Sequence, residues 1–142
     1  MTTTLATIRD QIETRLADEV NLIFRTQMLD EAIRAALAGL SDALGAVHTL
    51  ADLDGALETT LEACDLPVLV AGGAAFALSF RVVGKSEEAS PAVDRSEGLY
   101  RLANDWMNRY QALLIQLRLR TFHESADQPH SAWEWTEERG FS

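Results

Sequence analysis

A long segment with helical spacing of apolar residues constrains this chain more than any other feature. Between Ser96 and Phe122 large apolar residues recur every three to five positions, and after Gly98 the segment contains neither glycine nor proline. This pattern predicts the longest helix of the protein, with one face packed in a core. The apolar positions are Leu99, Leu102, Trp106, Tyr110, Leu113, Leu117 and Phe122.

The segment that follows this helix has no period of its own. After His123 the chain becomes polar, passes Pro129 and then places Trp133, Trp135 and Phe141 near its end. The alternation of apolar and polar residues around the tryptophans is typical of an extended segment lying on a surface. We therefore expect a helical domain over residues 1–123 and an extended C-terminal arm over residues 124–142. The three aromatic residues either bind a partner chain or fold back onto their own bundle.

Length and charge limit the classes of function. A chain of 142 residues with 47% hydrophobic residues supports one domain with a core. The formal net charge of −10 argues against a phosphate-binding surface, because nucleic-acid-binding proteins collect cations on one face. DNA is therefore expected to be repelled or to pass without specific binding.

The charge is unevenly distributed along the chain. Residues 48–65 contain five carboxylates and no Lys or Arg, whereas residues 94–123 are mildly basic. This asymmetry suits copies of one chain that meet head to tail, although a solvated acidic face is an equally good explanation. The candidate inter-subunit residues are Arg101, Arg109 and Arg118 on one side and Asp52, Asp54, Glu58 and Glu62 on the other.

Successive helical patterns predict an all-α bundle of four or five helices. Apolar spacing predicts helices over residues 5–16, 27–44 and 67–83, with Thr26 as an N-cap and a loop over residues 84–91. Residues 49–64 also have helical spacing, but Gly55 leaves a broken helix or an irregular segment open. No strand-length stretch of alternating apolar and polar residues lies between these helical patterns, so we predict an all-α bundle.

The helix predicted over residues 67–83 has unusually small residues at its middle. Gly72 and Gly73 are followed by Ala74 and Ala75 inside a helix that is apolar nearly all round. We expect this helix at the centre of the fold, with another backbone close to these positions.

The apolar run of this helix, residues 66–80, is shorter than the roughly 20 residues of a membrane span, so we expect no membrane insertion. The N-terminus has no signal-peptide pattern, which indicates a protein made in the cytoplasm.

Metal sites are not indicated by any complete motif. His123 and Glu124 begin like a zinc-protease helix, but Asp127 stands where the second histidine ligand is required. The acidic residues after position 51 lack the spacing of a calcium loop. Cys64 lies among apolar residues, where a buried thiol is the common outcome. We expect no metal and no cofactor.

Catalytic motifs are also incomplete. Glu58 and Glu62 would lie one turn apart on a helix and could act in acid/base chemistry, yet a solvated face explains them as well. The chain has no nucleophile elbow and no phosphate-binding glycine loop. We therefore expect a protein that is not an enzyme.

The order of these patterns resembles the head-tail adaptor proteins, also called head-tail connectors or head-completion proteins, of tailed double-stranded DNA bacteriophages. The similarity is carried by residues 4–18 (TLATIRDQIETRLAD), 28–37 (MLDEAIRAAL), 65–78 (DLPVLVAGGAAFAL) and 102–118 (LANDWMNRYQALLIQLR). The chain departs from the family at residues 49–64, which look helical where relatives often carry a longer, more extended excursion.

This resemblance implies a virion structural protein located in the neck between capsid and tail. Its implied partners are further copies of itself in a ring, typically a dodecamer, the portal protein above and a neck or tail protein below. DNA would pass through the channel of the ring. Because the C-terminal part commonly reaches the portal in this family, Trp133, Trp135 and Phe141 are the candidate portal-binding residues. The alternative is a small all-α regulatory or antitoxin-like module whose aromatic arm binds a protein.

Overall fold

The computed structural model describes residues 3–19, 24–87 and 93–127, and within this part the fold is all-α, as predicted. Four α-helices follow one another along the chain, and a short 3-10 turn precedes the third. Their bounds are α1 Leu5–Glu19, α2 Thr26–Leu44, α3 Leu66–Glu87 and α4 Val93–Asp127, with the turn at Ala63–Asp65. The expected bundle of four or five helices is therefore confirmed.

Helix α3 occupies the centre of the bundle, because it packs against each of the other three helices. Helices α1 and α4 do not contact each other, so they lie on different sides of the layer formed by α2 and α3. The apolar stretch Ala63–Val83 is longer than the run predicted over residues 66–80 and is long and apolar enough to cross a membrane, but more than half of it is buried inside the bundle. A core helix has the same composition, so this length by itself assigns no membrane insertion.

The small residues of α3 allow close packing, as the sequence predicts. A Cβ atom placed on Gly72 would lie 2.5 Å from Cε1 of Tyr110 and 2.8 Å from Cβ of Ala36. A Cβ atom on Gly73 would overlap Cδ1 of Ile12. The neighbours are therefore side chains of the other three helices, and not a second backbone as the sequence suggested.

Tyr110 connects α4 to the two inner helices. Its hydroxyl donates a hydrogen bond of 2.7 Å to the carbonyl oxygen of Ala36, and its ring packs edge-on against Phe76 at 5.8 Å between centroids. Burial raises the pKa of Tyr110 to about 12. Tyr110 and Trp106 are both buried, which confirms that they serve the core.

The ends of the helices differ from the predictions in several places. Thr26 is the first residue of α2 and Arg25 occupies the N-cap without a side-chain hydrogen bond, so the Thr26 cap was wrong. Gly45 ends α2 with φ of 76°, a left-handed conformation that glycine adopts without strain. Residues 84–87, predicted as a loop, continue α3, and residues 124–127, predicted as the start of the arm, continue α4.

Residues 46–62 form an irregular segment, which we call the acidic excursion. The helical prediction for this region was wrong, and the irregular alternative is observed. Asp52 and Asp54 both have positive φ angles, of 76° and 54°, and Gly55 follows at 81°. Three left-handed residues within four positions are incompatible with an α-helix. Periodic leucines alone could not reveal this, because Leu50, Leu53 and Leu61 are buried without sharing a helix.

Candidate functional site

Three exposed arginines lie along α4, and each has a different environment. Arg109 places its guanidinium 4.5 Å from the centroid of the Trp106 ring, a cation-π contact. Arg118 pairs with Asp42 of α2, with 3.2 Å between Nη2 and Oδ2, and both side chains are largely exposed. Arg101 makes no ion pair with the residues that the structure describes. Of the three predicted cations, Arg101 is thus the one most available to a partner.

The acidic excursion is anchored to the start of α1. The backbone N–H of Leu5 donates to the carbonyl oxygen of Ala51 at 3.0 Å, and the hydroxyl of Thr59 donates to the carbonyl oxygen of Thr3 at 2.5 Å. Within the excursion the N–H of Thr60 donates to the carbonyl oxygen of Thr49 at 3.0 Å. These bonds hold an irregular backbone in one conformation, because its polar groups are paired as they would be in regular structure.

Asp54 is the only predicted acidic site residue with an ion pair inside the described chain. The side chain of Arg34 on α2 donates to it from Nε at 2.9 Å and from Nη2 at 2.7 Å. This hydrogen bonding to Arg34 lowers the pKa of Asp54 below its ordinary value, although the pair lies at the surface. Arg34 also pairs with Glu31. Asp54 therefore fixes the excursion to α2 and is less available to a neighbouring copy.

The remaining acidic candidates point into solvent. Asp52, Glu58 and Glu62 are exposed, and no salt bridge involves them among the described residues. Since the backbone here is irregular, the expected spacing of Glu58 and Glu62 on one helical turn was wrong. The acid/base role that this spacing suggested therefore loses its geometric basis.

The two charged surfaces lie at different places on the bundle. Asp52, Asp54 and Glu58 belong to the part of the excursion that is anchored to α1 and α2, whereas Arg101 and Arg109 lie on α4. Because α1 and α4 do not contact each other, we infer that the carboxylates anchored near α1 lie on a different side of the bundle from Arg101 and Arg109, whereas Glu62 lies near Arg120 of α4. Surfaces of opposite charge on different faces suit association of like copies in a head-to-tail manner.

A buried charge pair that the sequence did not predict joins α3 to α4. Asp65 lies in the turn before α3 and is buried. It forms an ion pair with Arg120 of α4, with 3.2 Å between Oδ1 and Nη1. Hydrogen bonding to Asp65 raises the pKa of Arg120. Arg120 lies outside the apolar spacing of α4. In the sequence, only the opposite charges of Arg120 and Asp65 could have suggested this contact.

Cys64 belongs to the same cluster and is exposed, so its predicted burial was wrong. Its Sγ atom lies 3.9 Å from Nη1 of Arg120. Potential metal-ligand atoms of Glu62, Cys64 and Asp65 lie within 4.8 Å of one another. A cation would have to compete there with the guanidinium that already neutralises Asp65, so the group is better explained as a structural contact.

The aromatic and apolar residues at the end of α4 behave differently from the rest of the helix. Phe122, which its spacing assigned to the apolar stripe of the long helix, is 65% exposed, and Ile115 and Leu119 are 55% exposed each. The candidate arm residues Trp133, Trp135 and Phe141 lie outside the described residues, as does most of the arm. Of the two histidines that the structure describes, His48 bonds the Thr60 hydroxyl and His123 is exposed.

Comparison with known proteins adds no relative to these observations. No protein-family model matches the chain, and neither a curated protein nor a solved structure is significantly similar to it.

Proposed function

We propose that this protein is a virion structural protein, a head-tail adaptor that forms a ring beneath the portal of a tailed phage. In this role it extends the DNA channel and connects the capsid to the neck or tail. The proposal includes the C-terminal arm as the segment that binds the portal through Trp133, Trp135 and Phe141. It includes no catalysis.

One observation carries this proposal: Asp52 and Glu58 are exposed on the excursion anchored to α1, while Arg101 is exposed on α4, a helix that does not contact α1. A closed ring of identical subunits requires two different surfaces that fit each other. The acidic excursion with Asp52 and Glu58 and the exposed Arg101 of α4 meet this requirement. A bundle in which the same surface of two copies meets would instead form a symmetric dimer.

The irregular excursion supports the same function. The sequence suggested a helix over residues 49–64, at the position where the resemblance implies a more extended excursion. The observed segment is irregular, closed by hydrogen bonds and exposed at Leu57, whose side chain is 96% accessible. An irregular segment whose backbone is held by its own hydrogen bonds can present a defined surface to another chain.

The negative charge of the protein is compatible with a DNA channel. A wall that bound phosphates would hold DNA by contacts that must be broken again as DNA moves. With a formal net charge of −10, the ring would repel DNA and let it pass.

Charge reversal tests the ring interface. Arg101→Glu should weaken assembly, because it places like charges opposite each other, and Glu58→Arg or Asp52→Arg in the same chain should restore it. Arg15→Glu on α1 is the matched control, since Arg15 is exposed and lies outside both surfaces. Native mass spectrometry would give the number of copies. Equal assembly by all variants, or a dimer throughout, would contradict the proposal and favour the regulatory module.

A further inference from the structure

The C-terminal half of α4 carries an exposed apolar row, which we call the α4 stripe: Ile115, Leu119 and Phe122. These residues are separated by four and three positions, so their side chains lie on one side of the helix. More than half of each side chain is accessible. The opposite side of the same turns is already packed in the core through Leu114 and Leu117.

Contiguity distinguishes this stripe from the other exposed apolar residues. Val47 and Leu57 are more exposed, but each stands alone in the acidic excursion. Single exposed apolar residues are normal on protein surfaces, whereas three large neighbours on one face usually mark a contact. The stripe thus calls for an occupant of matching chemistry.

We propose that residues 128–142 of the same chain dock on the α4 stripe through Trp133 and Trp135. This proposal does not depend on the ring or on the portal. If the arm also binds a partner, docking on the stripe is its resting position before that partner is present.

The length of the arm fits this docking. Phe122 precedes the end of α4 at Asp127 by five residues, which is about 7.5 Å along a helix. Trp133 follows Asp127 by six residues, so an extended chain reaches about 20 Å. Pro129 lies two residues after the helix, a position where proline commonly follows a helix end. The arm therefore has enough chain to reverse and bring Trp133 back to Phe122.

The spacing of the aromatic residues also matches. In an extended segment Trp133 and Trp135 lie on the same side, about 7 Å apart. Ile115 and Leu119 are separated by four helical residues, about 6 Å along the axis. The two indoles can thus cover two successive members of the α4 stripe.

Charge favours the same pairing. Residues 128–142 contain Glu134, Glu137 and Glu138 against one arginine, whereas residues 111–123 contain two arginines and no carboxylate. Arg118 lies one turn before Phe122 and about half of its side chain is accessible. An acidic aromatic segment therefore meets a surface with an apolar centre and a basic edge.

The same chain is a better source of this segment than a second copy. A short tether holds the arm near the stripe at an effective concentration of about 1 mM, far above the concentration of a second copy in dilute solution. Intramolecular docking therefore dominates unless assembly brings many copies together.

Cys64 offers a direct test in the full-length chain. It is the only cysteine, it is exposed, and it contacts Arg120, the residue next to Leu119. A nitroxide spin label on Cys64 should broaden the indole N–H signals of Trp133 and Trp135 in an isotope-labelled protein. Both signals should lose most of their intensity, and reduction of the label should restore it.

Variants assign the effect to the stripe. Leu119→Gln should restore most of the lost intensity, while Leu57→Gln, which changes an exposed leucine elsewhere, should leave the broadening in place. An unchanged signal of the buried Trp106 reports that the fold is intact in each variant. Absence of broadening, or equal broadening in the Leu119→Gln protein, would overturn the proposal.

A mixed sample separates the two possible sources of the arm. Spin-labelled chains without isotope are mixed with isotope-labelled Cys64→Ser chains. Docking within one chain predicts no broadening in this mixture, and broadening there as strong as in the doubly labelled chain would overturn the assignment to the same chain. Neither result depends on whether rings form with a portal.

Discussion

The guanidinium of Arg120 lies across the buried carboxylate of Asp65, with 3.2 Å between Nη1 and Oδ1 and 3.3 Å between Nη2 and Oδ2. This ion pair, with one hydrogen bond donated from Nη2 to Oδ2, holds the C-terminal half of α4 against the start of α3. Because the acidic excursion leads directly into this turn, the contact also holds the end of the excursion beside the half of α4 that carries the α4 stripe.

Removal of Arg120 should therefore destabilise the protein. Arg120→Ala leaves Asp65 buried without its cation, and we expect a loss of about 2 kcal/mol in the free energy of unfolding, less than for a fully buried pair because Arg120 is partly exposed. Arg118→Ala is the control on the same helix, because its pair with Asp42 is exposed and should contribute less than about 0.5 kcal/mol. Urea denaturation measures both. Equal effects of the two substitutions would contradict a special role for Asp65.

A second substitution tests whether the loss comes from the unpaired charge. Asp65→Asn removes the buried carboxylate, so Arg120→Ala in the Asp65→Asn background should cost less than Arg120→Ala alone. Additive losses in the double variant would show that the two residues act independently.

The glycines of α3 should respond unequally to substitution. Gly72→Ala brings a Cβ atom against the ring of Tyr110 and the Cβ of Ala36, so we expect a loss of about 1–3 kcal/mol from overpacking. Gly73→Ala overlaps the flexible end of the Ile12 side chain and makes an ordinary contact with Ile33, so it should cost less. Gly98→Ala in α4 meets nothing within 4 Å and should stabilise the helix by about 0.5–1 kcal/mol. Thermal melts of the three variants in the opposite order would refute this packing.

Alkaline pH should destabilise the protein through Tyr110. Its pKa is raised from 10.0 to about 12 in the folded state, so the folded protein keeps a proton that the unfolded chain releases. The associated stability is present below pH 10 and is lost as the pH rises through the folded pKa, by about 2 kcal/mol. Denaturation on both sides of pH 10 measures this loss.

Tyr110→Phe supplies the control for the alkaline effect. The variant loses the hydrogen bond to Ala36, about 1 kcal/mol at neutral pH, but it has no phenol to titrate. Its stability should fall less steeply than that of the parent above pH 10. Parallel pH profiles of parent and variant would rule out Tyr110 as the cause.

The thiol of Cys64 should react in the folded protein. Because it is exposed, we expect stoichiometric modification by a thiol reagent without denaturant, at a rate within the range of surface cysteines. The reaction in urea provides the reference for full accessibility. A thiol that reacts only after unfolding would contradict the position of Cys64 outside the core.

The sequence predicts the helices well where the apolar period and the breakers agree. The period of α2 ends at Gly45, and the small residues at Gly72 and Gly73 correctly indicate close packing. These features are local: a glycine with φ of 76° or a missing side chain leaves a direct mark in the sequence. The fold class follows from them without tertiary information.

Prediction from the sequence is wrong where tertiary contacts override the helical spacing of apolar residues. The leucines of the acidic excursion have helical spacing, yet the backbone follows hydrogen bonds to Thr3 and Leu5 and an ion pair to Arg34, all distant in the chain. Phe122 follows Leu117 by five positions, which turns its side chain away from the buried face of Leu114 and Leu117. The candidate surface residues could be named from charge alone, but their separation on two sides of the bundle required the packing of α1 and α4.

The most direct test of the proposed function is electron microscopy of the purified protein, alone and mixed with a candidate portal protein. We expect closed rings with a central channel, stacked coaxially on the portal in the mixture, and loss of this stacking when residues 128–142 are removed. A monomer or dimer that leaves the portal unoccupied at high protein concentration would contradict the account.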